Sequence, residues 1–433
     1  MSYQTSERKA RNETSELKAS IGLFQGAALY IGAVLGSGIL ILPSLSAEMA
    51  GPAALVAWLG MTLLTLPMAL SMGVLSARRP DAGGVSSFVR EAFGEMAGAV
   101  AGWLFFGAVA IGPVIATIAG ARYMAAALGL GEGAALTVAA LAMVSIWIVQ
   151  LLGMQVAGRV QVVLVGVTVG VVLLTIAAGA PQVHAAAFTP FMPHGWVSVG
   201  QVMATLFWGY IGWEAVSHLS SEFVDPTGHV LKAATLAAVL VGALYFGAAL
   251  VTVGSGVHQQ GDSIASMVYL VQGTLGTAGG LVVGISGLAL CIAGINSYVG
   301  GAARVGYSLA KNGAAPTFMG YLLPGRQTPV GSLLVLAVAH VVIFALFAMG
   351  KVTIAALIGL PNAGFIATYI VGSLAGVKLL KGTGWPRWMA AISLVVSAAV
   401  YPFLGWSGLY ALVLAGAGYV AVQMRRRENR KAA

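Results

Sequence analysis

Apolar runs of about twenty residues, each long enough to cross a bilayer as a helix, follow one another along this chain, and glycine interrupts two of them at matching places. The first interruption reads Gly32-Ala33-Val34-Leu35-Gly36-Ser37-Gly38-Ile39, inside the run that begins near Ile21. The second reads Trp208-Gly209-Tyr210-Ile211-Gly212-Trp213-Glu214, inside the run that begins near Val197. A spanning helix opened at mid-depth exposes backbone N–H and C=O groups that lipid cannot satisfy. Such an opening persists only where it lines a cavity or holds a ligand. Openings in the first and sixth apolar segments therefore point to a central binding site of the kind membrane carriers use.

Charge supports a membrane setting. Of the 433 residues, 8% are charged and 59% hydrophobic, with a mean hydropathy of +0.91; soluble domains carry about a quarter charged residues. The net charge of +9 would suggest nucleic acid in a soluble protein, but its placement excludes that partner. Arg8, Lys9, Arg11 and Lys18 precede the first run, and Arg425, Arg426, Arg427, Arg430 and Lys431 follow the last. Apart from Arg122 and Lys351, the remaining basic residues fall in every second loop. That alternation is the positive-inside pattern, which puts both termini in the cytoplasm and makes the span count even. Cys291 is the sole cysteine, so no disulfide or cysteine-rich metal site is expected.

The chain reads as an all-α membrane protein with twelve transmembrane helices, at roughly 22–49, 53–76, 97–126, 134–152, 160–180, 198–220, 231–254, 277–303, 330–348, 352–376, 388–403 and 406–424. In domain terms, 1–20 is a cytoplasmic tail, 21–385 a ten-helix transport core, 386–424 helices 11 and 12, and 425–433 a basic tail. Ten spans divide into two sets of five, each opened by an interrupted helix; with an odd number per set, the second set inserts with opposite orientation. Trp58, Trp196 and Trp406 fall near one expected interface and Trp103, Trp385 and Trp388 near the other, as an aromatic belt would. Trp208 and Trp213 do not fit the belt, because they flank the second interruption.

At the first interruption Gly36 and Gly38 free the backbone from helical angles, and Ser37 adds a hydroxyl. A half-helix starting at Ile39 would present free N–H groups and a positive dipole end to a carboxylate. The half-helix before it would end in free carbonyls near Val34, suited to an ammonium group. The alternative is close helix packing through the small residues Gly32 and Gly36. At the second interruption, freed carbonyls and the aromatic faces of Trp208, Tyr210 and Trp213, with Ile211, suit an amine; packing is again the alternative. Apolar groups at Ile31, Leu35, Ile39, Tyr210 and Trp213 favour an aliphatic or thioether side chain.

Glu214 is the one carboxylate placed deep in a span, where an ionisable group marks function by default. His218, four residues on, would share its helical face and could pair with it. Two roles stand for Glu214: proton exchange, or accepting backbone N–H groups opened by the interruption. Asn296 would face the cavity or bond a neighbouring helix, and His340 reads as a helix–helix contact. No catalytic motif, phosphate loop or clustered metal ligands occur in the sequence, so neither an enzyme nor a cofactor is expected.

Together these segments resemble the amino acid–polyamine–organocation (APC) transporters. Gly36-Ser37-Gly38 is similar to their first-helix motif, and Trp208 through Glu214, followed by Glu222, Asp225 and Pro226, to their sixth-helix motif. Pro80-Asp81-Ala82-Gly83-Gly84 with Arg90-Glu91-Ala92-Phe93-Gly94, and Arg304 with Ala310-Lys311-Asn312-Gly313 and Pro316, resemble two inner segments. Phe207 through Leu219 and Ser221-Glu222-Phe223 look most like the bacterial exporters of methionine and branched-chain amino acids. The resemblance implies a LeuT-like five-plus-five inverted repeat with discontinuous helices 1 and 6, and a two-helix C-terminal hairpin. It implies that Gly36, Ser37 and Gly38 hold the substrate carboxylate, that Val34 and Ile211 carbonyls take the amine, and that Trp208 lines the pocket. Glu214, His218, Tyr210 and Asn296 become candidates for gating or coupling. The family lysine of span five is missing from Val160 to Ala180. Coupling is thereby left to Glu214, to a cation site between spans one and eight, or to pure exchange. The expected protein is a bacterial inner-membrane carrier, monomer or homodimer, exporting methionine, leucine, isoleucine or valine, with proton-coupled import or exchange as the alternative and an intramembrane enzyme as the remote one.

Overall fold

The computed structural model describes residues 19–36, 38–259, 266–352 and 354–432; Ser37 and the four basic residues before the first run lie outside them. The described chain is almost wholly helical, as expected where no water can satisfy an open backbone. Helices α1 (Leu23–Leu35) and α2 (Gly38–Ala50) form the first interrupted pair. There follow α3 (Ala54–Arg78), the short α4 (Val85–Phe93), α5 (Glu95–Val109), α6 (Gly112–Ala127), α7 (Glu132–Leu151) and α8 (Met154–Gly179). The second interrupted pair is α9 (Gly195–Tyr210) and α10 (Trp213–Ser217). Then come α11 (Pro226–Ser255), with Pro226 in its first turn where no N–H is needed, α12 (Ser266–Lys311), α13 (Val330–Ala348), α14 (Ile354–Leu379), α15 (Trp385–Val400) and α16 (Leu409–Ala432). A two-residue hairpin pairs β1 (Leu322–Leu323) with β2 (Thr328–Pro329).

Nine helical stretches among the described residues are long and apolar enough to cross a membrane; with the relatives reported below, this is a multi-pass membrane protein. The helices pack in a set pattern: α2 on α9, α3 on α11, α6 on α12, and α8 on both α1 and α12. One boundary differs from the sequence reading. Residues 266–275, expected in an outer loop, are helical, joined to the rest of α12 across a non-helical Gly276. The third apolar run is also interrupted, at Ala110 and Ile111. Pro113 explains it: lacking an N–H, Pro113 cannot bond the carbonyl of Val109 four residues back. His340 meets that carbonyl instead, Nε2 to oxygen 3.0 Å, while its Nδ1 accepts Trp147 Nε1–H at 3.3 Å. His340 is thus the satisfied interhelical contact its position suggests.

Candidate functional site

The two expected interruptions sit against each other at the centre of the bundle. Gly36 leaves helical geometry (φ 5°, ψ −153°), and α2 starts two residues later. A Cβ on Gly38 would lie 3.0 Å from the Cα of Gly209, so the two openings touch through backbone. Gly212 has φ +137°, and a Cβ there would meet the carbonyl carbon of Ala33 at 2.9 Å. Only glycine satisfies both demands.

The freed backbone groups are largely met from elsewhere in the bundle, as burial requires. The Tyr245 hydroxyl of α11 donates to Val34 O at 2.8 Å. At the second opening, Tyr369 of α14 places its hydroxyl oxygen 3.3, 3.0 and 3.4 Å from the backbone N–H groups of Gly212, Trp213 and Glu214. Glu214 Oε2 also accepts from Gly212 N–H at 3.0 Å, and Tyr298 OH donates to its other oxygen at 3.5 Å. Trp213 Nε1–H returns to Tyr210 O at 3.0 Å.

Between the openings lies a small cavity of about 60 Å³, lined from several helices. Ala33, Val34, Gly36 and Gly38 form its backbone wall with Trp208 and Ile211 opposite. The rest comes from Pro113 and Ala116 of α6, Cys291, Ile295 and Tyr298 of α12, and Phe365 of α14. Among the described residues, none in the lining is charged.

Five of the six substrate candidates (Val34, Gly36, Gly38, Trp208 and Ile211) therefore line one cavity, and the sixth, Ser37, lies outside the described residues. The four gating candidates do not line it. Tyr210 is buried in a cluster with Trp58 and Tyr245 and bonds Thr62 at 2.7 Å. Trp213 packs on Tyr30. Ile31, Leu35 and Ile39 are likewise outside the lining, so the aliphatic surface comes from α6, α12 and α14 instead. Glu214 and His218 do not pair. Helix α10 ends at Ser217, and His218 Nδ1 donates to Gly83 O at 2.8 Å while its ring packs at a tilt against Phe105. Asn296 bonds Gln150 and Gln161. Sequence reasoning missed Tyr245, Tyr298 and Tyr369; tyrosines in mid-span, away from the interfacial belts, were the available signal.

At the end of the bundle that carries the N-terminal segment, the chain entering α1 is tied to the chain leaving α10. Ser20 and Ile21 N–H groups donate to Glu222 O at 2.8 and 2.9 Å, and Val224 N–H to Ile21 O at 3.0 Å. The Glu222 carboxylate is bound in turn by Arg304 Nε of α12 at 2.6 Å, with both side chains almost fully buried.

Membrane-length helices around a cavity walled by interrupted helices define a membrane transporter. An amino acid permease family model matches residues 21–423. YecA of Bacillus subtilis, an uncharacterized amino acid permease, is 35% identical over 96% of this chain and 98% of its own length. The L-methionine/branched-chain amino acid exporter YjeH of Escherichia coli is 30% identical over 96% and 99%. Among solved structures, a substrate-bound, outward-open Na+-coupled sialic acid symporter superposes with a TM-score of 0.57 at 13% identity, covering 91% of this chain and 90% of that one. That likeness is one of fold, which is LeuT-like. The chain belongs to the amino acid permease family, within the APC superfamily of transporters. Its relatives are permeases and transporters, not enzymes.

Proposed function

We propose that this protein moves neutral, apolar amino acids (methionine, leucine, isoleucine and valine) outward across the bacterial inner membrane by alternating access. The observation that carries this reading is the cavity itself: two helix ends and an apolar wall, with no charged side chain among the described lining residues. Helix α2 begins at the cavity, and the first-turn N–H groups and positive dipole end of such a helix suit a carboxylate at Gly36 and Gly38 with Ser37 between them. The α1 terminus offers the Val34 carbonyl, which has a second lone pair beside the one Tyr245 uses, and Ile211 offers another. Such ends select a zwitterion. Trp208, Phe365, Ile295 and Cys291 would then face its side chain, where a charged group would be unpaired. The 30% identity to the methionine/branched-chain exporter supports both substrate and direction.

In this reading the chain crosses the membrane twelve times with both termini cytoplasmic. The stretch Leu23–Arg78 holds two crossings, the α9–α10 pair makes one, and the shorter α15 makes another. Packing supports the inverted repeat, since corresponding spans of the two sets of five meet: first on sixth, second on seventh, third on eighth. A second mode, proton-coupled uptake or exchange, is favoured by one observation: the buried Glu214 is bonded to backbone and tyrosines rather than to a cation.

The test loads cells with methionine-containing dipeptides and follows free methionine. Expression should lower internal and raise external methionine. If neither moves while the protein is correctly inserted, export is refuted. Accumulation of external methionine by unloaded cells would establish import instead.

A further inference from the structure

Three carboxamides, all buried, form a chain through the bundle beside the first opening. Gln150 of α7 donates from Nε2 to the backbone and side-chain oxygens of Asn296 on α12, at 2.9 and 2.7 Å. Asn296 Nδ2 donates to Gln161 Oε1 of α8 at 2.8 Å and to Ala157 O at 3.3 Å. Gln161 Nε2 then reaches Ala28 O of α1 at 3.4 Å. One residue on, Ser297 Oγ donates to Leu29 O at 3.0 Å.

The two α1 carbonyls approached, at 28 and 29, lie in the last turns before the interruption that carries Val34 and Gly36. A second donor at each comes from the scaffold helices, so α1 is gripped just ahead of its free end. Packing is matched to this grip: a Cβ on Gly32 would collide with the Gln161 carboxamide, which rests directly on the α1 backbone. Polar side chains in a bilayer interior persist where they bond across helices, and a shift of even about 1 Å in a binding element is costly.

We propose that Gln161 is a positioning residue for transport. Its uncharged carboxamide, aimed by Asn296, fixes α1 against α8 and α12 and so sets where the Val34 and Gly36 backbone meets the substrate. The proposal rests on the amino acid transport reading above. A tether of this kind is read out in substrate affinity. It also makes Gln161 and Asn296 one unit, whose removal in pairs costs little more than removal singly.

The experiment measures uptake of labelled methionine and leucine by proteoliposomes for wild type, Gln161→Met, Gln161→Asn, Asn296→Ser and the double variant Gln161→Met/Asn296→Ser. Gln161→Met keeps length and packing without hydrogen bonds; Gln161→Asn keeps the amide but not the reach, and serves if the methionine variant fails to insert. Either should raise KM about threefold to tenfold with Vmax within about twofold, and the double variant should raise it no further than the worse single one. Unchanged KM in the position-161 variants, or fully additive effects, would overturn the tether while leaving the transport reading intact. Absence of transport by the wild type would instead refute the transport reading on which the proposal stands.

Discussion

Removing the cation from the Glu222–Arg304 pair is the sharpest perturbation of the fold that the structure offers. The two side chains are 2% and 4% exposed for Arg304 and Glu222, with Nε and Oε1 2.6 Å apart, so Arg304→Met leaves a carboxylate without water or a countercharge. Breaking a buried pair from one side costs about 3–5 kcal/mol. The double variant Glu222→Gln/Arg304→Met leaves no buried charge and should recover most of that loss, since apolar or neutral replacement of such pairs is often near neutral. For a protein of this size the single variant should melt on the order of 3–6 °C lower. Trp58 and Trp213 are fully buried, so the shift of tryptophan emission to longer wavelength during a thermal ramp reports unfolding. A single variant that melts within about 1 °C of wild type, or a double variant as unstable as the sum of both singles, would refute the reasoning.

Three further outcomes follow from the site. Gly212→Ala must strain a backbone at φ +137° and push a Cβ to 2.9 Å from Ala33, so transport should fall at least tenfold; near-normal uptake would show that the contact yields. If Glu214 carries protons, Glu214→Gln should flatten the pH dependence of transport while leaving methionine binding in place; an unchanged pH profile assigns Glu214 to holding Gly212. Replacing sodium by choline should leave methionine uptake unaltered, because Gln161 approaches the α1 carbonyl at Ala28 with its Nε2 donor while its Oε1 is taken by Asn296; a loss above about threefold would indicate a bound cation.

Both interruptions were legible because clustered glycine in an otherwise unbroken apolar run has few readings in a bilayer. The third, at Ala110 and Ile111, was visible only as a proline, because the partner that stabilises it, His340, is 231 residues from Val109. The side-chain wall of the cavity was not legible. A membrane helix that is apolar all round gives no period to mark its inward face, so Ile31, Leu35 and Ile39 looked as suitable as Ile295 and Phe365. The roles of Tyr245 and Tyr369 were hidden for a related reason. Each satisfies backbone more than 150 residues away in sequence, and nothing local to a tyrosine says which opening it will close. Family membership was readable because it rests on local stretches in order along the chain. The separation of Glu214 from His218 was not, because it depends on α10 ending at Ser217.

The central claim is that the amino acid sits between the two openings. An experimental structure of the protein with bound methionine tests it most directly. Ligand density should fill the space bounded by Val34, Gly36, Gly38, Trp208 and Ile211, its carboxylate toward the start of α2 and its thioether toward Ile295 and Phe365. Density elsewhere, or an empty cavity in a sample that demonstrably binds methionine, would contradict the account.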